Sequence, residues 1–449
     1  MLAARYDGRQ PSVMRINIRP LFTALALVSS LRGQDPAALR AHTEFLSSDL
    51  LEGRAVPSRG LDIAAEYIAA QMRAIGLKPY GGSYYQDFST KLVEAEWQGF
   101  RLVVNGLEIP ADQVSLVPGN AVRFKDAALI RPAPSQLAQL KVADVEGKVV
   151  MLESDFDPFA PRIAFARRLG ELKPAAIIYL DPTGRRYQRY ADPPAEGPAI
   201  LRVRDPRLQA VREGRVSLDV PAGRRSTAMI RNVVGVLEGT DPTLRAEAVV
   251  LSGHFDHLGL SNHTSGDKVF NGASDDISAI AVMLALAEAW KVKPGKRSLI
   301  LAAFTGEEVG FLGARYFKDH PPVPLDKIRA NVNLEMLGRP DCLEDTARGS
   351  VGLIGFEKSP LTAVFQASAT EFGAKLFLSE RYSEAFRNRV DASIFRDTPV
   401  PAVTAIGCMT YADYHYVTDD LSRMDFADLT AQAKLIGVAV RRLLDDPRP

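Results

Sequence analysis

The chain has 449 residues, 46% hydrophobic and 24% charged, the make-up of a soluble globular protein with room for two domains. Its 55 basic and 54 acidic residues nearly cancel, so no charge surplus argues for nucleic acid or an anionic membrane as a partner. The two cysteines, Cys342 and Cys408, form no metal-binding motif; in an oxidising compartment they can pair, and otherwise they are two buried thiols.

In chain order, the first element starts at Met14, where MRINIRP, then LFTALALVSSL, then RGQ place a basic start before a short apolar run. The run is too short to span a bilayer and reads as a secretory signal over residues 14–33, with a periplasmic or extracellular destination. Cleavage is expected between Ser30 and Gly33, and either Met1 or Met14 is the start. No cysteine follows the run, which argues against a lipid anchor, and no later segment is apolar and long enough for a membrane span.

Residues 36–88 are expected to be helical, through HTEFLSSDLLEGR and the amphipathic GLDIAAEYIAAQMRAIGL, closed by Gly76 and Pro79. Over about 92–227 the texture changes. Runs such as FRLVVNGLEI, GKVVMLES and AAIIYLD alternate with Pro- and Gly-rich turns, with one helical patch near 163–172, and predict a separate β-rich domain. From Asn232 a strand–helix alternation takes over. NVVGVLEG, EAVVLSGH, RSLILAAF, IRANVNLEM and VPAVTAIG are buried-strand candidates, with helices at SAIAVMLALAEAW and GFLGARYFKDH. That pattern predicts an α/β domain whose mixed, largely parallel sheet is covered by helices on both faces.

Five potential metal ligands lie in order through this second half: His254 in SGHFDHLG, Asp275 in NGASDDIS, Glu308 in TGEEVGFLGA, Glu335 in NLEMLG and His415 in DYHYVTDD. Four candidate strands end at or just before one of them, which is where chemistry collects in an open α/β sheet. Each motif has a bland reading of its own. His254 with Asp256 is also a polar strand end, Asp275 a helix N-cap, and Glu307–Glu308 a solvated pair. Together they make a set of two imidazoles and three carboxylates suited to zinc, with cobalt or manganese as substitutes. Asp256 is read as orienting the His254 imidazole, and Glu307 as a general base beside metal-activated water. Asp276 is the weaker ligand candidate, available with Ser278 to cap the following helix. His257 reads as a substrate-pocket or a surface residue.

The joint run H-x-D-H-L-G, N-G-A-x-D-D, G-E-E-x-G-x-L-G, N-L-(acid)-M-L-G and Y-H-x-x-x-D resembles the two-zinc aminopeptidases, the M28 peptidases. The resemblance implies one zinc on His254, Glu308 and bridging Asp275, and a second on Glu335, His415 and the same Asp275. It further implies a cis Asp275–Asp276 peptide, a catalytic domain of residues 34–91 and 228–449, and a protease-associated (PA) domain inserted at 92–227. Three departures stand out: Glu335 replaces the usual Asp, Ala279 the usual Gly, and RVDASIF keeps Asp391 but lacks the Ser and His of a related segment. The implied activity is an aminopeptidase acting on peptides. A carboxypeptidase on the same scaffold, with Arg381, Arg387 and Arg389 as carboxylate-binding candidates, stays open. A one-zinc glutaminyl-cyclase-like acyltransferase and a metal-free binding protein are the readings from other classes.

Overall fold

A computed structural model describes residues 35–154, 165–166, 168–181, 189–190, 197–261, 266–342 and 347–446. The signal expected at 14–33, and part of the patch at 163–172, lie outside the described residues. The first helix, Pro36–Leu46, starts where the Asp35 carboxylate accepts the Ala37 amide. A tight turn, Asp49–Arg54, leads to a second helix, Arg59–Ile75, capped by Ser58 and ended by Gly76 at φ 96°.

The helical expectation to residue 88 overshoots. Tyr85–Glu94 is a strand, paired antiparallel with Arg224–Leu237 from Tyr85↔Val233 to Glu94↔Arg224. Its partner lies well over a hundred residues away in sequence, so local patterning carries no trace of the pairing.

The five buried-strand candidates all lie in one ten-stranded sheet. At its centre four strands run parallel, in the order Ala402–Ile406, Ile328–Glu335, Ala248–His254, Ser298–Phe304. Val351–Ile354 and Arg224–Leu237 flank them antiparallel. Alternate residues serve two cores. Val249 and Leu251 join the helices Arg59–Ile75 and Ser278–Trp290, while Ala248 and Val250 meet Phe317 and Phe395 on the other face. Burial on both faces explains why these strands are continuously apolar rather than alternating. A C-terminal helix, Phe426–Asp445, for which the sequence reading made no provision, adds Leu429, Ala433, Ile436 and Val440 to the first core.

Between Arg101 and Val220 a second, eight-stranded sheet forms, with a core of its own that includes Leu102, Val104, Met151, Ile178, Leu201 and Leu218. The paired strands Tyr85–Glu94 and Arg224–Leu237 carry the chain into and out of it. Cys342 and Cys408 form a disulfide with Cα atoms 5.5 Å apart, which joins the loops beyond the Glu335 and Ile406 strand ends. Among the described residues no helix is long and apolar enough to cross a membrane.

Where the His254 strand meets the helix Ser278–Trp290, contact is close enough to require glycine. A Cβ at Gly253 would lie 2.8 Å from the Ala279 Cβ and 3.1 Å from Asp276 Oδ2. Gly253 therefore makes room for the Ala279 methyl. Gly253→Ala is expected to cost about 1–3 kcal/mol in urea unfolding, part of it recovered by adding Ala279→Gly. An unchanged midpoint would show that the helix yields freely.

Candidate metal centre

Because the central strands are parallel, their carboxyl ends lie along one edge, and that edge carries the predicted residues. His254 is the last residue of its strand and Glu335 the last of the neighbouring one. Glu307 and Glu308 follow the strand that ends at Phe304, and His415, at φ 60°, follows the strand that ends at Ile406. All five proposed ligands, with Glu307 and Asp256, come together there.

Asp275 stands between two imidazoles. Its Oδ1 is 3.3 Å from His254 Nε2 and its Oδ2 3.1 Å from His415 Nε2. On the first side Glu335 Oε1 is 3.4 Å from His254 Nε2. On the second, Glu308 Oε1 is 3.1 Å from His415 Nε2 and 2.9 Å from His257 Nδ1.

The grouping corrects the one implied by resemblance. His254 faces Glu335 rather than Glu308, and His415 faces Glu308 rather than Glu335. The strands of His254 and Glu335 are adjacent and parallel, paired through Ser252↔Asn333, so their ends are neighbours. Glu308 lies four residues past Phe304, and the intervening turn carries it across to His415.

Asp256 also differs from expectation. The backbone carbonyl of Asp256, 3.1 Å away, meets His254 Nδ1, whereas its carboxylate lies 3.7 Å off. That carboxylate instead accepts the backbone amides of Glu307 (3.1 Å) and Glu308 (3.3 Å) and so positions the acidic pair. Asp276 does not cap the helix. Its carboxylate accepts the amides of His254 (3.2 Å) and Met336 (3.1 Å), tying two strand ends together, and it lies within ligand reach of His254 and Glu335. The Asp275–Asp276 peptide is cis.

Asp419, Arg54 and Asp391 were not assigned roles from sequence, and His257 was read only as a substrate-pocket or a surface residue. Asp419, the last acid of Y-H-x-x-x-D, accepts the amides of Ser274 (3.2 Å) and Asp275 (3.1 Å) and so holds the turn that carries Asp275. Arg54 is fully buried and donates to the carbonyls of Leu46 (2.7 Å), Phe255 (2.8 Å) and Asn271 (2.8 Å). An arginine after Gly in LLEGR was its only signal. His257 is 2% exposed and faces Glu308, a position hinted at only by its spacing from His254. Asp391 is buried, with no hydrogen-bond partner on either carboxylate oxygen.

The electrostatics follow from this crowding. Burial pushes Glu307 well above the usual carboxylate range, opposed by His254 and reinforced by Glu308, Glu335 and Asp391. Burial likewise raises Asp391. Burial would also raise Asp275, but His254 and His415 outweigh it and hold that carboxylate well below its ordinary value. For His415 burial works downward, yet Glu308 and Asp275 push it up to about 9.

The residues fit divalent cations. Buried polar atoms in a folded protein are nearly always hydrogen-bonded, yet His254 Nε2, both His257 nitrogens and Glu308 Oε1 have no hydrogen-bond partner. They belong to a set of imidazoles and carboxylates without thiolate, the donor chemistry zinc accepts.

Residues 232–440 match the model of Peptidase family M28. A probable leucine aminopeptidase 2 of Aspergillus oryzae is 26% identical over 249 residues, 54% of this chain and 47% of that protein. The match thus spans about half the length of that curated relative. Two solved structures share the fold. The Peptidase M28 precursor from Shewanella amazonensis has a TM-score of 0.68 at 16% identity, covering 96% of this chain and 99% of that one. The zinc aminopeptidase BSAP from Bacillus subtilis has a TM-score of 0.62 at 17% identity, covering 92% and 97%.

Chelation is expected to lower the melting temperature and zinc to restore it, since a ligand at ~100 times its Kd adds about 2.7 kcal/mol per site. His415 must shed a proton on loading, and that proton competes below its raised pKa. His254 is raised as well, so zinc affinity should climb with pH at least as far as about 9. An affinity flat between pH 6 and 9, read by competition titration, would contradict this electrostatic account.

Proposed function

Since the chain belongs to peptidase family M28, we propose that it is a secreted or periplasmic zinc-dependent exopeptidase, an aminopeptidase releasing N-terminal residues from peptides. The observation that carries this reading is the shared carboxylate. Asp275 presents one oxygen to His254 and the other to His415, each imidazole being backed by a further acid, Glu335 or Glu308. His254, Glu335 and Asp275 would hold one zinc; His415, Glu308 and Asp275 would hold the other. Bound zinc supplies electrophilic pull on a scissile carbonyl and acidifies a water.

The chain's own residues supply the rest. Glu307 Oε2 lies 4.0 Å from His254 Nε2, beside the two groups but outside their closest contacts. Its backbone amide is held by Asp256, which fixes the position from which the side chain reaches the site. Its raised pKa suits a group that takes a proton from water and passes it to the departing amine. Two donor groups, rather than one, favour this hydrolase over a cyclase-like acyltransferase or a metal-free binding protein.

We assign residues 34–91 and 228–449 to the catalytic domain and 92–227 to an inserted domain of protease-associated type that shapes access to the site. The separate core of the second sheet and its two-strand connection support that division. The signal expected at 14–33 from the sequence is the ground for proposing export. A carboxypeptidase remains the second reading because of one arginine. Arg389 lies over the Tyr414 ring, with Nη2 3.3 Å from its hydroxyl, and Tyr414 stacks on His415. A guanidinium there suits a substrate α-carboxylate. Arg387, by contrast, pairs with exposed Glu384.

Glu307→Gln is expected to retain two zincs by elemental analysis and lose ~10²–10⁴-fold in kcat on aminoacyl-anilides. Release of C-terminal residues from N-blocked peptides, with no cleavage of free-amine substrates, would replace the aminopeptidase by the carboxypeptidase. Absence of zinc and of turnover would remove both.

A further inference from the structure

We propose that His257 is an additional protein ligand at the position held by Glu308, His415 and Asp275, so that the two metal positions are unequal. The inference rests on the two-zinc reading and concerns how that zinc is shared. Four side chains would serve one position, against His254, Glu335 and Asp275 at the other, where both Asp276 oxygens are taken up by backbone amides.

The geometry points there from several directions. The His257 side chain is fully buried, and its Nδ1 is 2.9 Å from Glu308 Oε1, closer than His415 comes. With Asp275 and Glu308 it forms a set whose donor atoms all lie within 4.8 Å of one another. Neither ring nitrogen has a hydrogen-bond partner, nor has Glu308 Oε1, despite that approach. A buried donor or acceptor left unmade destabilises the fold, so a ring with two such atoms implies something else to bind. The ring also crosses that of His415 edge-on, with centroids 5.6 Å apart, so both imidazoles approach the same carboxylate.

The surrounding chain fixes this placement. The His257 amide donates to the carbonyl of Arg54 at 3.2 Å. The ring lies directly on Gly272, where a Cβ would fall 2.6 Å from His257 Cγ. Gly272 has φ 55°, so its lack of a side chain meets a conformational and a steric need together. A surface or substrate-pocket histidine would need neither constraint.

A ligand in this place would make one zinc tight and slow to exchange, leaving the three-residue position with more room for substrate and water. The test is zinc-edge X-ray absorption of the full chain loaded with two equivalents, counting imidazoles, for wild type, His257→Asn and His257→Phe. Three imidazoles across two zincs in the wild type, and two in either variant, are expected. Chelator competition should show the tighter zinc weakened by more than ~10²-fold, beyond the 10–100-fold loss typical of an outer hydrogen-bond partner. Two zincs with two imidazoles in the wild type would overturn this inference alone and leave the peptidase reading standing. Fewer than two zincs would overturn both. The wild-type count decides the matter even if a variant fails to fold.

Discussion

A concentration of buried negative charge governs this molecule. Asp256, Asp275, Asp276, Glu335, Asp391 and Asp419 are all buried, and Glu307 and Glu308 are nearly so, around one edge of one sheet. Carboxylates this close cannot all ionise unless cations or hydrogen bonds hold them. The structure answers in three ways. Backbone amides go to Asp256, Asp276 and Asp419. Imidazoles face Asp275, Glu308 and Glu335. Two fully buried arginines complete the balance. Burial pulls Arg54 down to about 10, opposed by Asp256, Asp419, Asp275 and Asp276, so it stays charged at neutral pH. Arg339 reaches Asp413 at 2.6 Å and Asp419 at 3.5 Å. Asp391 and the unpartnered atoms of His254, His257 and Glu308 are what these devices leave over, and they adjoin the two proposed zinc positions.

Seen this way, the support matters as much as the ligands. Asp256 holds the Glu307–Glu308 turn, Asp276 ties the His254 and Glu335 strand ends, and Asp419 holds the turn that presents Asp275. Arg54 joins the N-terminal segment to the loops on either side of His257 through three carbonyls. The segment 36–54 is therefore part of the site's scaffold, although it contributes no proposed ligand.

Much of this was legible in sequence because the chemistry sits in short motifs at strand ends. The apolar runs before His254, Glu307 and Glu335 are too continuous for surface strands, so their polar endings stand out. The grouping of ligands was less accessible. His254 precedes Glu308 and Glu335 alike, and only the parallel pairing of Ile328–Glu335 with the His254 strand decides which acid it meets. Asp256 shows a subtler limit: its backbone does the orienting expected of its side chain, and sequence spacing does not distinguish them. Tyr85–Glu94 went unread because a distant partner, rather than local pattern, makes it a strand.

Glu335 illustrates how such a departure is absorbed. A glutamate where aspartate is usual brings an extra methylene and another rotatable bond, which would loosen a ligand. Asn333, two residues earlier and so on the same face of the strand, donates to Glu335 Oε2 at 3.2 Å. Asn333 is itself fixed: its amide lies 3.4 Å from the Thr404 hydroxyl on the adjacent strand, and its Oδ1 accepts from Ser252 at 3.1 Å on the strand of His254. One oxygen of Glu335 is thereby anchored, and Oε1 is left to face His254. The longer acid is held in place by a polar network across three parallel strands, and those same strands deliver His254 and Glu335 and lead toward His415. The sheet register that sets the fold is therefore also what sets the geometry of the site.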